Sequence, residues 1–213
     1  MHLCSNRPEG FGPHSSLHPS LPTTCFIDVI VEPLATWIYL LLAIPLLVLS
    51  SIVVFDSTTS KPVNPSDNNS PWPASPSHKR WRVVLWTVYA FFIVALLAMV
   101  SLEIARLVTA ELGIGLLPFT YAGILLAVAL HALNSVGNKS RTFKYMAKGA
   151  NLLYWMMLVV VFAIKVATYV KEGVDSRNNI YPVDQYKVSD EVIDVSTMIG
   201  VAVVLAIVEL VWF

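Results

Sequence analysis

The stretch SLEIARLVTAELGIG, residues 101–115, places Glu103, Arg106 and Glu111 inside an apolar run that extends from Val83 to Leu133. Three more ionisable groups stand among apolar neighbours further along the chain: His131, Lys165 and Glu209. A charge surrounded by hydrocarbon is costly, which makes each of these residues a functional candidate. A desolvated carboxylic acid holds its proton tightly and can act as a general acid. Glu103 and Glu209 are the candidate catalytic groups if the chain is an enzyme. The competing role is structural: Glu103, Arg106, Glu111 and Lys165 form an intramembrane charge cluster, two acids and two bases that neutralise one another.

Composition defines the elements that must hold these residues. Of 213 residues, 56% are hydrophobic and 13% are charged, against roughly 25% charged in soluble domains. The mean hydropathy is +0.66. Apolar residues gather in runs of about twenty, the length that crosses a bilayer core as a helix. The expected fold is all-α, a polytopic transmembrane helical bundle over residues 34–213. Its spans are expected at 34–55, 83–104, 113–133, 151–170 and 192–213. Residues 1–33 read as a flexible non-cytosolic tail, with no apolar core of a signal peptide. Residues 56–77 carry five prolines and many Ser and Asn, and read as a disordered cytosolic loop. Aromatic residues near the span ends, among them Trp37, Tyr39, Trp81, Trp86, Tyr154, Trp155, Tyr169 and Trp212, suggest interfacial belts.

Basic residues set the orientation. The loop regions around Lys61, Lys79, Arg80 and Arg82, and around Lys139, Arg141, Lys144 and Lys148, share one side and hold eight Lys and Arg, against five on the other side. The expectation is a cytosolic location for these loops, with the N-terminus outside and the C-terminus in the cytosol. The sequons at Asn68 and Asn138 then face the cytosol. At 1.5 Å per residue, Glu103 lies about 13 Å and Lys165 about 6 Å towards the outside from mid-span, while His131 and Glu209 each lie about 10 Å towards the cytosol. Two polar layers result: an outer one, where Glu103 can pair with Arg106 or Lys165, and an inner one, where His131 and Glu209 can pair.

Cys4 and Cys25 would sit on the outer side, where a disulfide can form. No metal site or cofactor is expected: His131 is the one histidine within a span, and no zinc, phosphate or dinucleotide motif occurs. A net charge of zero gives no sign of a nucleic-acid partner. Expected partners are the lipid bilayer, a membrane-protein partner or a second copy, and a hydrophobic small molecule. Gly123 with Ala127, Ala163 with Ala167, and Ala202 with Ala206 show the small-xxx-small spacing that lets helices approach closely. Span length fits the endoplasmic reticulum or the plasma membrane.

The succession ATWIYLLLAIPLLVLS, SLEIARL and GLLPF, between Ala35 and Phe119, resembles small uncharacterised fungal multi-pass integral membrane proteins. That resemblance implies an association with secondary-metabolite biosynthesis, where some small membrane proteins are encoded beside pathway enzymes. It also implies an enzymatic alternative: a membrane-embedded terpene-cyclase-like enzyme with Glu103 or Glu209 as the general acid, and with Trp86, Tyr89, Phe91, Phe92, Tyr121 or Trp155 lining a pocket that stabilises a carbocation by cation–π attraction. The leading expectation is a non-catalytic accessory or scaffold subunit, or a component of a small-solute carrier.

Overall fold

A computed structural model describes residues 2–7, 9–13, 20–59, 76–135, 141–172 and 187–211. The described residues are helical, with no strand. Helix α1 occupies residues 24–59 as three continuous pieces: Thr24–Phe26, a π-helical turn at Ile27–Val31, and Glu32–Thr59. Helices α2 (Pro76–Thr109), α3 (Phe119–Ser135), α4 (Arg141–Glu172) and α5 (Val188–Val211) follow. Four stretches are long and apolar enough to cross a membrane: Thr24–Leu49, Arg80–Thr109, Thr142–Lys171 and Ser189–Val211.

Helix α1 begins ten residues before the expected span. The Thr23 side chain accepts a hydrogen bond from the Phe26 N–H and caps the first turn. Pro33 lies just past the π-helical turn Ile27–Val31 and does not break the helix. A proline lacks an N–H and crowds the carbonyl four residues back. The π turn opens the ladder just before it, and the Asp28 carbonyl, which a π ladder would pair with residue 33, accepts from Leu116 N–H instead. Residues 24–33 are thus part of the bundle and not of a flexible tail. The expected loop is also trimmed at its edges, since α1 runs to Thr59 and α2 starts at Pro76. Asn68, Asn138 and Trp212 lie outside the described residues.

The third helix is shorter than expected, with 17 residues. Residues 112–118 are not helical. Glu111 and Gly115 have left-handed φ values of 56° and 61°, which ends α2 and turns the chain; glycine adopts this conformation without strain. Leu112 N–H bonds to Leu107 C=O at 2.8 Å and closes the last turn of α2.

Helix α4 is central and packs on α1, α3 and α5, while α2 packs mainly on α5. The N-terminal segment lies across one end of the bundle. Gly113 N–H donates to Ser5 C=O (2.8 Å) and Gly115 N–H to Leu3 C=O (3.0 Å). A Cβ at Gly113 would run into the backbone of Leu3, Cys4 and Ser5. Cys4 and Cys25 form a disulfide with Cα atoms 6.0 Å apart. The opposite end carries exposed Arg80, Arg82 and Lys144.

The core is largely apolar, but buried charges and an apolar exterior accompany it. Leu41, Val83, Phe91, Val94, Leu125 and Ile193 are exposed, whereas Asp28, Glu32, Glu103, Lys165, Glu191 and Glu209 are buried. Tyr39, Tyr154, Trp155 and Tyr169 are core residues and not belt residues. Tyr39 and Tyr154 stack at 4.3 Å, and the Tyr154 ring closes against Gly123, where a Cβ would collide with its hydroxyl. Trp37, Trp81 and Trp86 remain exposed. Ala202 and Ala206 are buried, whereas Ala163 faces outward and Ala167 is only half-buried, so that pair provides no close interhelical face.

Candidate functional site: two buried polar layers

The first layer lies at the disulfide end. Lys165, wholly buried in α4, places Nζ 2.7 Å from Asp28 Oδ1 on α1 and against Glu103 Oε1 on α2. Arg7, from the N-terminal segment, takes the other side of Asp28: Nη1 lies 2.6 Å from Oδ2, and Nε donates to Gly113 C=O at 2.7 Å. Burial works against the charged form of Arg7, but Asp28 outweighs it and raises the pKa above the usual guanidinium value. One run of contacts, Arg7–Asp28–Lys165–Glu103, therefore joins the N-terminal segment, α1, α4 and α2. Charge-assisted hydrogen bonds of this kind are stronger than neutral ones.

Two further acids lie in this layer. Glu32 Oε1 accepts from Thr120 Oγ1 at 2.6 Å, while Oε2 is buried without a hydrogen-bond partner among the described residues. Glu191, buried on α5, lies 3.5 Å from Arg106 Nη1, which sits 2.5 Å from Asp194 Oδ2. Arg106 thus turns to α5 and not to Glu103, its expected partner on α2. Glu111 does not join the cluster: its backbone is in the turn, its side chain is exposed, and Asn6 Nδ2 donates to its carbonyl.

The second layer lies nearer the basic end. His131 Nδ1 and Asn151 Nδ2 each lie 2.9 Å from Glu209 Oε1. Asn151 also donates to Ala127 C=O at 3.1 Å and accepts from the Tyr39 hydroxyl at 2.6 Å. Tyr89 stacks on the His131 ring at 4.1 Å. The Glu209 side chain thus reaches α3 and α4 together. Of the expected pocket aromatics, Tyr89 and Trp155 are buried, Tyr121 bonds to Ser101, and Phe91 and Trp86 face outward.

A cavity of about 370 Å³ lies elsewhere, in the groove between α1 and α4. Val31, Leu34, Ile38, Met156 and Val160 are among its walls; neither Glu103 nor Glu209 lines it. Among the described residues there is no group of three or more His, Cys, Asp or Glu arranged to hold a metal ion.

The sequence reading missed Arg7, Asp28, Glu32, Asn151, Glu191 and Asp194. Asp28 and Glu32 precede the first hydropathic window, and Glu191 falls one residue before the expected fifth span. The signal that could have found the first two is TTCFIDVIVEPLA, an apolar run with two acids at helical spacing.

The fold defines a class: an all-helical bundle with apolar helices outside and ion pairs within. Comparison with known proteins adds no relative, since no family model, curated protein or solved structure matches the chain.

Proposed function

We propose that the chain is a multi-pass integral membrane protein whose five helices cross the bilayer, with the N-terminal segment outside and the basic end in the cytosol. Its role is non-catalytic, as an accessory or scaffold subunit or a component of a small-solute carrier. One observation carries the membrane reading: Lys165 is wholly buried between Asp28 and Glu103, while Leu41, Val83, Phe91 and Val94 lie bare on the outside. Water as solvent would favour the reverse arrangement. Helix α3 is short, but it reaches from Thr120 in one polar layer to His131 in the other.

The orientation is supported twice. Exposed Arg80, Arg82 and Lys144 mark one end, whereas at the other end Arg7, Arg106 and Lys165 are engaged by acids and Lys171 and Lys187 are exposed. The disulfide lies at that second end, as an oxidising compartment requires. The non-catalytic reading is supported by the state of the two candidate acids. Glu103 is held by Lys165 and Glu209 by His131 and Asn151, and neither faces the apolar groove.

Membrane flotation with resistance to alkaline carbonate extraction tests the first reading; release into the soluble fraction overturns it. For the second, extracts from cells supplied with polyprenyl substrates are compared between the wild type, Glu103→Gln and Glu209→Gln. Identical products support a non-catalytic role, and a product that disappears with either substitution establishes the cyclase-like alternative.

A further inference from the structure

Among the described residues, the charges of the layer at the disulfide end do not balance. Five carboxylates, Asp28, Glu32, Glu103, Glu191 and Asp194, meet three cations, Arg7, Arg106 and Lys165. Asp28 and Glu103 share Lys165, Arg7 completes Asp28, and Arg106 lies closest to Asp194. The surplus falls on Glu32 and Glu191, each 1% exposed. Glu32 Oε2 has no hydrogen-bond partner among the described residues. Glu191 Oε2 faces only Arg106 Nη1, at 3.5 Å, a cation that sits closer to Asp194. Lys165, Glu103 and Asp28 act electrostatically on both acids. A buried carboxylate without a matching cation is destabilising, and protonation removes the charge.

We propose that this layer is a proton-binding site, in which Glu32 and Glu191 each take up one proton from water at the disulfide end. In each case hydronium delivers the proton, a new O–H bond forms on a carboxylate oxygen, and neutral water returns to the solvent. The half-exposed Arg106 and Asp194 link Glu191 to that surface. Every element packed against the site contributes a group that faces it. These are Arg7 with Glu9 from the N-terminal segment, Asp28 from α1, Glu103 and Arg106 from α2, and Thr120 from α3. Helix α4 adds Tyr154, Lys165 and Tyr169, and α5 adds Asp194.

Lys165 and Asn151, one in each layer, are about 21 Å apart along α4 at 1.5 Å per residue. Leu96, Leu158, Phe162 and Leu205 fill part of that interval, and Thr36 and Tyr39 of α1 and Tyr154 of α4 are buried in it as well. The ligand is external acid, and the site reads the pH of the compartment that holds the disulfide.

The inference rests on the membrane reading for its setting, and flotation of the same vesicles tests that reading separately. Infrared spectroscopy of the full chain in lipid vesicles at neutral pH separates protonated carboxyl groups from carboxylates. The expected result is a protonated-carboxyl band that shifts in heavy water, falls by about half in Glu32→Gln and in Glu191→Gln, and is lost in the double variant. Glutamine is the neutral isostere of the protonated acid, so these variants keep the fold. Glu111→Gln, on the exposed turn, leaves the band unchanged. Absence of the band in the wild type, or its persistence in the double variant, overturns the proposal. So does a band that appears only after sodium and potassium are replaced by choline, which would assign the surplus charge to a metal cation.

Discussion

Lys165 Nζ lies 2.7 Å from Asp28 Oδ1, across 137 positions of sequence. The pair closes α4 onto the first turns of α1, and Glu103 brings α2 to the same ammonium group. A buried cation with two acid partners is a weak source of net stability, but its removal leaves uncompensated charge.

Lys165→Met is therefore expected to destabilise the bundle by about 3–5 kcal/mol, the usual effect of breaking a buried pair. Adding Glu103→Gln should restore part of that loss, because Asp28 keeps Arg7. Thermal unfolding in detergent measures both. A double variant no more stable than Lys165→Met would show that the ion pair is not the cause.

The disulfide closes a loop with a sequence separation of 21 residues. Changing Cys4 and Cys25 to serine is expected to lower stability by about 3 kcal/mol. Maleimide should label no cysteine in the denatured wild type until a reductant is added, and two afterwards. Labelling without reductant would contradict the bridge.

Glycines separate packed from open positions. Gly123→Ala forces the Tyr154 ring to move from its stack on Tyr39, with an expected loss of about 1–3 kcal/mol. Gly200→Ala meets nothing within 4 Å and is expected to leave stability unchanged or raise it by up to about 1 kcal/mol. Unfolding midpoints of the two variants should therefore move apart.

Asn151 is the junction of the second layer. Asn151→Leu strips partners from Glu209, Ala127 C=O and the Tyr39 hydroxyl. Each buried polar group left unsatisfied costs about 1–3 kcal/mol. A loss larger than that of His131→Ala is expected, since Asn151 still binds Glu209 in that variant. Equal losses would place the weight of the layer on the histidine.

Hydropathy made the helices legible because apolar runs of span length have few alternatives. The acids and bases within them stood out for the same reason; a shared outer layer put Glu103 with Lys165, and equal depth put His131 with Glu209. What stayed hidden came from the edges of those runs. The first expected span starts at residue 34, yet α1 continues back through Pro33 and a π turn to Thr24. The choice of α5 as partner for Arg106 depends on which helices are neighbours, and spacing along α2 carries no such information. Trp155 and Tyr154 resembled membrane-interface aromatics by type, but α4 begins ten residues earlier than expected and draws them into the core.

The N-terminal segment ties separate elements together at one end of the bundle. Arg7 holds Asp28 of α1 and the carbonyl of Gly113, beyond the end of α2. Gly113 and Gly115 present N–H groups to Ser5 and Leu3. The bridge between Cys4 and Cys25 fastens that clasp to α1, so that the redox state of the surface bears directly on the polar layer beneath it.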